Sequence, residues 1–156
     1  MRNQYGFFFD GIGKSQIIAE FTYSLGSIDI FNNSICVFYD RVDPIFLSLN
    51  YPIMNALNVS KYRGVLFTTS LNTTIQAREM YFDNKPIYYY CYNLEWTYNP
   101  HLTDAYRLVL SDPKVKVIAR CYDHEQKIYE DFGKEVIGVV NTANARGLIN
   151  ATIPTK

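Results

Sequence analysis

The stretch Phe7-Phe8-Phe9-Asp10-Gly11-Ile12-Gly13-Lys14-Ser15 constrains this chain more than any other. An apolar run meets an Asp-Gly-x-Gly turn, and a helical pattern starts at Ser15, a residue suited to the N-cap position. Strand, tight turn and helix in that order form the opening unit of a doubly wound α/β sheet. Glycines let the backbone approach a ligand closely, and the start of a helix presents unpaired N–H groups to an anion.

The same alternation continues along the chain. Strands are expected at 5–9, 34–39, 64–69, 86–92, 114–119 and 135–140, and helices at 15–25, 45–57, 71–82, 102–110 and 122–132. Ile17, Ile18, Phe21 and Leu25 share one helical face, the stripe that packs on a sheet. Gly26 and Gly133 stand where helices should stop, and Pro52 predicts a kink or break in the second helix. Strands joined through helices by short links demand a parallel sheet covered on both faces. The expected fold is therefore α/β, a doubly wound, mostly parallel, six-stranded Rossmann-like sheet in the order 3-2-1-4-5-6. The switch point then lies between the strands at 5–9 and 86–92. Its crevice would gather Asp10, Gly11, Ile12 and Gly13 opposite Asn93, Glu95 and Trp96. One domain is expected over 1–140. Every Tyr, Phe and Trp lies before residue 141, so 141–156 reads as an extended or poorly ordered tail.

At 156 residues and 48% apolar content the chain can bury a substantial core. Lys+Arg and Asp+Glu each number 15, so net charge does not indicate a nucleic-acid partner. Cys36, Cys91 and Cys121 are widely spaced, form no CxxC pair and fall in or beside strands. That usage suits buried thiols in a reducing, cytoplasmic compartment. No signal-peptide pattern precedes the first strand and no apolar run reaches the ~18 residues of a membrane span, so no membrane partner is expected.

Candidate chemistry gathers near the carboxyl ends of the strands. Gly13-Lys14-Ser15 invites a phosphate-loop reading, but the glycine required five residues earlier is replaced by Phe8. The dinucleotide fingerprint is also broken, with Gln16 in place of its third glycine. Asp10, Gly11, Gly13 and Lys14 remain candidates for contact with a phosphate or a sugar hydroxyl, against the plain alternative that the glycines only make the turn. Glu95 and Trp96, beside Asn93, pair an acid with a large ring. Either they hydrogen-bond and stack on a sugar, or Trp96 folds back over the sheet edge and Glu95 faces water. Arg120 either binds a phosphate or pairs with Asp123 or Glu125. His124, at the start of the fifth helix, either serves as a general base or is a solvated first-turn residue. No cluster has metal-ligand spacing.

Five stretches carry a resemblance to a known family. They are Gly11-Ile12-Gly13-Lys14-Ser15, Tyr39-Asp40-Arg41-Val42-Asp43, the run 64–70, the run 88–96 ending in Asn93-Leu94-Glu95-Trp96, and the run 117–124 ending in His124. In this order the chain resembles, over about 5–140, the N-terminal half of GT-B-type glycosyltransferases, particularly the short ones encoded by tailed bacteriophages. The resemblance implies a domain that holds the sugar acceptor, with the glycine turn near the reacting centre and no bound metal or other cofactor required. A nucleotide sugar would be the donor, held by a second half. It further implies Glu95 or His124 as the group that orients or deprotonates an acceptor hydroxyl. Asp10, Gly11, Gly13, Lys14, Asn93, Trp96 and Arg120 would be ligand contacts. The donor half would come from a partner chain or a second copy, and the domain would not act alone. For a phage-encoded chain the compartment would be the host cytoplasm. The aromatic surplus supports a different expectation: a non-catalytic protein that binds and blocks a host or phage protein.

Overall fold

The computed structural model describes residues 3–13, 15–25, 33–42 and 51–153. Its centre is the strand β1 (Asn3–Ile12), whose Phe7, Phe8 and Phe9 are all buried. Successive side chains of a strand point to opposite faces, so the three rings divide between two layers. Phe7 and Phe9 pack on α1 (Gln16–Leu25) through Phe21, at centroid distances of 4.5 and 5.0 Å. Phe8 faces the other side, in a cluster with Phe38, Leu66, Val59 and Ala77. The side chain of Ser15 accepts the Ile18 N–H at 3.3 Å, the expected N-cap bond.

Every strand pair among the described residues is parallel. After β2 (Asn33–Val42) and β3 (Ile53–Asn55), the chain crosses to the far side of β1 for β4 (Val65–Thr68), β5 (Ile87–Cys91), β6 (Val115–Ala119) and β7 (Val136–Val139). Among the described residues the sheet has seven strands, in the order β3-β2-β1-β4-β5-β6-β7. The doubly wound parallel fold is as expected, with one strand more. That strand corrects two expectations. The helix expected at 45–57 is, over its described part, the short strand Ile53–Asn55 and a 3₁₀ turn, Ala56–Lys61, capped by Asn55, whose side chain accepts the Leu57 N–H at 3.0 Å; its residues 45–50 lie outside the described residues. The neighbour of β1 across the switch point is β4, not the strand at 86–92, which sits one place further out.

The helices on the second face are α2 (Leu71–Met80), α3 (Glu95–Tyr98), α4 (Thr103–Leu110) and α5 (Tyr122–Phe132). Gly133 closes α5 at φ 63°, in the left-handed region that glycine enters without a Cβ clash. On the α1 face stands α6 (Ala145–Ala151), where an extended tail was expected. Asn144 caps it, and Ala145, Leu148 and Ile149, spaced as one helical stripe, are buried against the cluster that holds Phe7, Phe9, Tyr90 and Ile118. Residues 140–151 therefore belong to the domain core.

The outer strand β7 is irregular. Val117 pairs with Val136 and Ile118 with Gly138, which leaves Ile137 as an extra residue. A bulge of this kind bends an exposed edge away from further strand pairing. The three cysteines are free thiols; burial pushes Cys36 up to about 11 and Cys91 up to about 12, so both stay protonated. No helix among the described residues is long and apolar enough to cross a membrane.

Candidate functional site

In an open α/β sheet the crevice at the switch point lies outside the carboxyl ends of the strands. Here it is a groove of about 210 Å³, walled by the ends of β1 and β2, the residues after β4 and β5, and the first turns of α1. Its polar lining is Asp10, Ser15, Arg41, Thr69, Ser70, Asn93 and Glu95, and the Gly11 backbone forms part of its floor.

The ladder places Asp10. Phe9 pairs with Tyr39 and Gly11 with Arg41, so Asp10 and Asp40 occupy neighbouring positions on adjacent strands. The Asn72 amide donates to Asp10 Oδ1 at 3.0 Å, and the Gln76 amide donates to Asp40 Oδ2 at 3.2 Å. Asn72 and Gln76 are one helical turn apart on α2, which thereby reaches across both strand ends. Ser70 caps α2 in a reciprocal capping box with Thr73, its hydroxyl accepting the Thr73 N–H at 3.0 Å. The neighbouring Thr69 hydroxyl donates to the Phe8 carbonyl at 3.1 Å, tying the turn after β4 to β1. Glu95 opens α3, and its Oε2 accepts the Tyr106 hydroxyl at 3.1 Å.

Of the residues singled out from sequence, the fold brings Asp10, Gly11, Asn93 and Glu95 to this groove. Gly11 does so from within β1, paired with Arg41, rather than from a turn; the strand continues to the buried Ile12. Gly13 is buried in the bend that follows, and Lys14 lies outside the described residues. Trp96 is core: it is 5% exposed, packs on Tyr106 and Phe132, and donates its indole N–H to Asp131 Oδ2 at 2.7 Å. Of the two readings of that ring, folding back against the sheet is the one seen.

Arg120 and His124 stand apart from the groove lining. The Arg120 guanidinium lies over the Tyr92 ring, 4.2 Å from its centroid, rather than against Asp123 or Glu125. Tyr92 in turn donates to Glu20 Oε1 at 3.1 Å. His124 is half-buried on α5, and its Nδ1 is enclosed with no hydrogen-bond partner among the described residues.

Arg41, Thr69 and Ser70 are groove residues that the sequence reading did not single out as contacts. The signal for Ser70 was present, since a serine followed three residues later by threonine at a helix start is a cap that also marks a strand end. Arg41 carried none, because β2 was expected to stop before it. Among the described residues no three His, Cys, Asp or Glu side chains converge as a metal-binding group. Compared with protein-family models, curated proteins and solved structures, the chain matches none.

Proposed function

We propose that this chain binds one sugar ring in the switch-point groove and works as the acceptor-side half of a GT-B-type sugar transferase. The observation that carries the reading is the groove's lining, in which hydroxyl, amide, carboxylate and guanidinium groups from the carboxyl ends of four adjacent strands and the start of α1 converge on about 210 Å³. That volume is below the ~300–1,000 Å³ of drug-sized pockets and suits a single ring. Asp10 and Glu95 accept hydrogen bonds from sugar hydroxyls, and Asn93, Thr69 and Ser70 can both give and accept them.

In the transfer step the acceptor hydroxyl oxygen attacks the anomeric carbon of a nucleotide sugar held by a second α/β half, from a partner chain or a second copy. The new glycosidic C–O bond forms as the bond to the nucleoside diphosphate breaks, and Glu95 takes the hydroxyl proton. Glu95 is preferred to His124 for this role because only Glu95 lines the groove. Thermal-shift titration with glucose, maltose and UDP-glucose tests the reading. A ligand at a hundredfold excess over Kd stabilises the fold by about 3 kcal/mol. Stabilisation of the wild type that is lost in Glu95→Ala supports the reading, and no stabilisation by any of the three contradicts it.

The alternative, a protein that binds and blocks a partner, draws on one observation. Tyr122 and Tyr129 stand two turns apart on α5, 77% and 60% exposed. Native mass measurement in a host lysate separates the two: a stable complex lost in the double variant Tyr122→Ser, Tyr129→Ser favours blocking, and monomer alone argues against it.

A further inference from the structure

Behind the groove wall lies a chain of buried hydroxyls. Tyr89 donates to the Tyr106 hydroxyl at 3.3 Å, and Tyr106 donates to Glu95 Oε2 at 3.1 Å. The Tyr106 ring is fully buried, its centroid 4.5 Å from that of Trp96 and 6.3 Å from that of Phe132. Burial pushes both phenols well above their ordinary range, so each keeps its proton. A phenol has one proton to give. Tyr106 donates its one hydrogen bond to Glu95 and accepts that of Tyr89, so the chain runs one way and ends on the carboxylate.

We propose that Tyr106, backed by Tyr89, is a positioning residue that holds the Glu95 carboxylate in one orientation on the groove wall. The proposal rests on the reading of the groove as the ligand site. Glu95 is the first residue of a four-residue helix at the rim, where a long side chain with no partner samples several rotamers. The hydrogen bond to Oε2 selects one of them and turns Oε1 to the ligand hydroxyl. The donor comes from α4 and the acceptor from α3, so the cluster packed around Tyr106, with Trp96, Tyr89 and Ile128, rather than the loop itself sets where the acid points.

The test is Tyr106→Phe, with Tyr106→p-aminophenylalanine as a rescue that restores a donor at the same place. The first readout needs no ligand: crystals of the free proteins should show Glu95 in one rotamer in the wild type and the rescue, and dispersed in Tyr106→Phe. The second is calorimetric binding of glucose, maltose and UDP-glucose, where Tyr106→Phe should weaken whichever binds by about tenfold and the rescue should recover it. Glu95 unmoved in Tyr106→Phe overturns the proposal whatever binds. Glu95 dispersed with affinity unchanged also overturns it. Glu95 dispersed with no probe binding the wild type upholds Tyr106 as the group that orients the acid and instead overturns the sugar-site reading.

Discussion

The Glu20 carboxylate on α1 accepts the backbone N–H of Ala143 at 2.9 Å, joining the first helix of the domain to its last segment. One turn on, the Ser24 hydroxyl accepts the Ala145 N–H at 2.9 Å, and on the sheet side Tyr90 donates to the Val140 carbonyl at 2.8 Å. Three bonds and the buried stripe of α6 make residues 140–151 part of the layer that covers Phe7, Phe9 and Tyr90. Leu148→Ala is expected to cost about 2–5 kcal/mol, the range for emptying a buried leucine site. Urea denaturation should show the loss as a lower midpoint with an unchanged slope.

Glu20 also makes stability depend on pH. Burial works to raise its pKa, but the Ala143 N–H, the Gln16 amide, the Tyr92 hydroxyl and the Arg120 charge together hold it below the ordinary glutamate value. A depressed folded value means the stabilisation is present above the unfolded pKa and is lost as pH falls through the folded one. The wild type should therefore lose stability on acidification through that window, and Glu20→Gln should flatten this part of the profile. Midpoints of chemical denaturation from pH 7 down to pH 3 check it.

Gly6 lies where β1 meets two rings. A Cβ there would stand 2.7 Å from Tyr62 Cε1 and 2.8 Å from Phe38 Cε2, and those rings already pack edge-on at 5.1 Å. Gly6→Ala should destabilise by about 1–3 kcal/mol, the usual cost of overpacking. Thermal unfolding of the variant measures it.

Trp96 is the only tryptophan in the chain, so its fluorescence reports on the buried cluster it shares with Tyr89, Tyr106 and Ile128. Emission should be blue-shifted in the native state and move to the red on unfolding. Trp96→Phe leaves Asp131 without the indole donor and should cost about 1–3 kcal/mol of stability, while groove binding stays unchanged. A loss of binding larger than the loss of stability would contradict its placement in the core.

Much of this architecture was legible because it rests on local patterns. Helix boundaries at Ser15 and Gly133 follow from cap chemistry, and strands such as 87–91 and 115–119 from apolar runs. What escaped detection depended on partners distant in sequence. Ile53–Asn55 is three residues of strand held by pairing to β2, with no pattern of its own, and missing it displaced the switch point by one strand. The ends of β1 and β2 run past Asp10 and Asp40 because the parallel ladder continues through Gly11 and Arg41, and backbone pairing leaves no mark on composition. The α6 stripe at 145, 148 and 149 was present, but a segment without aromatic residues read as a tail. Glu95 and Asp10 still reach one groove because both stand at the carboxyl ends of strands on the same rim, Asp10 near the end of β1 and Glu95 after β5, which holds for either strand order.

The most direct measurement is chemical-shift mapping of the ¹⁵N-labelled chain titrated with glucose, maltose and UDP-glucose. The account predicts saturable shifts concentrated at the amides of Asp10, Gly11, Arg41, Thr69, Ser70, Asn93 and Glu95, the residues that meet at the groove. Shifts confined to α5 or to the opposite rim of the sheet, or none with any of the three ligands, would contradict it.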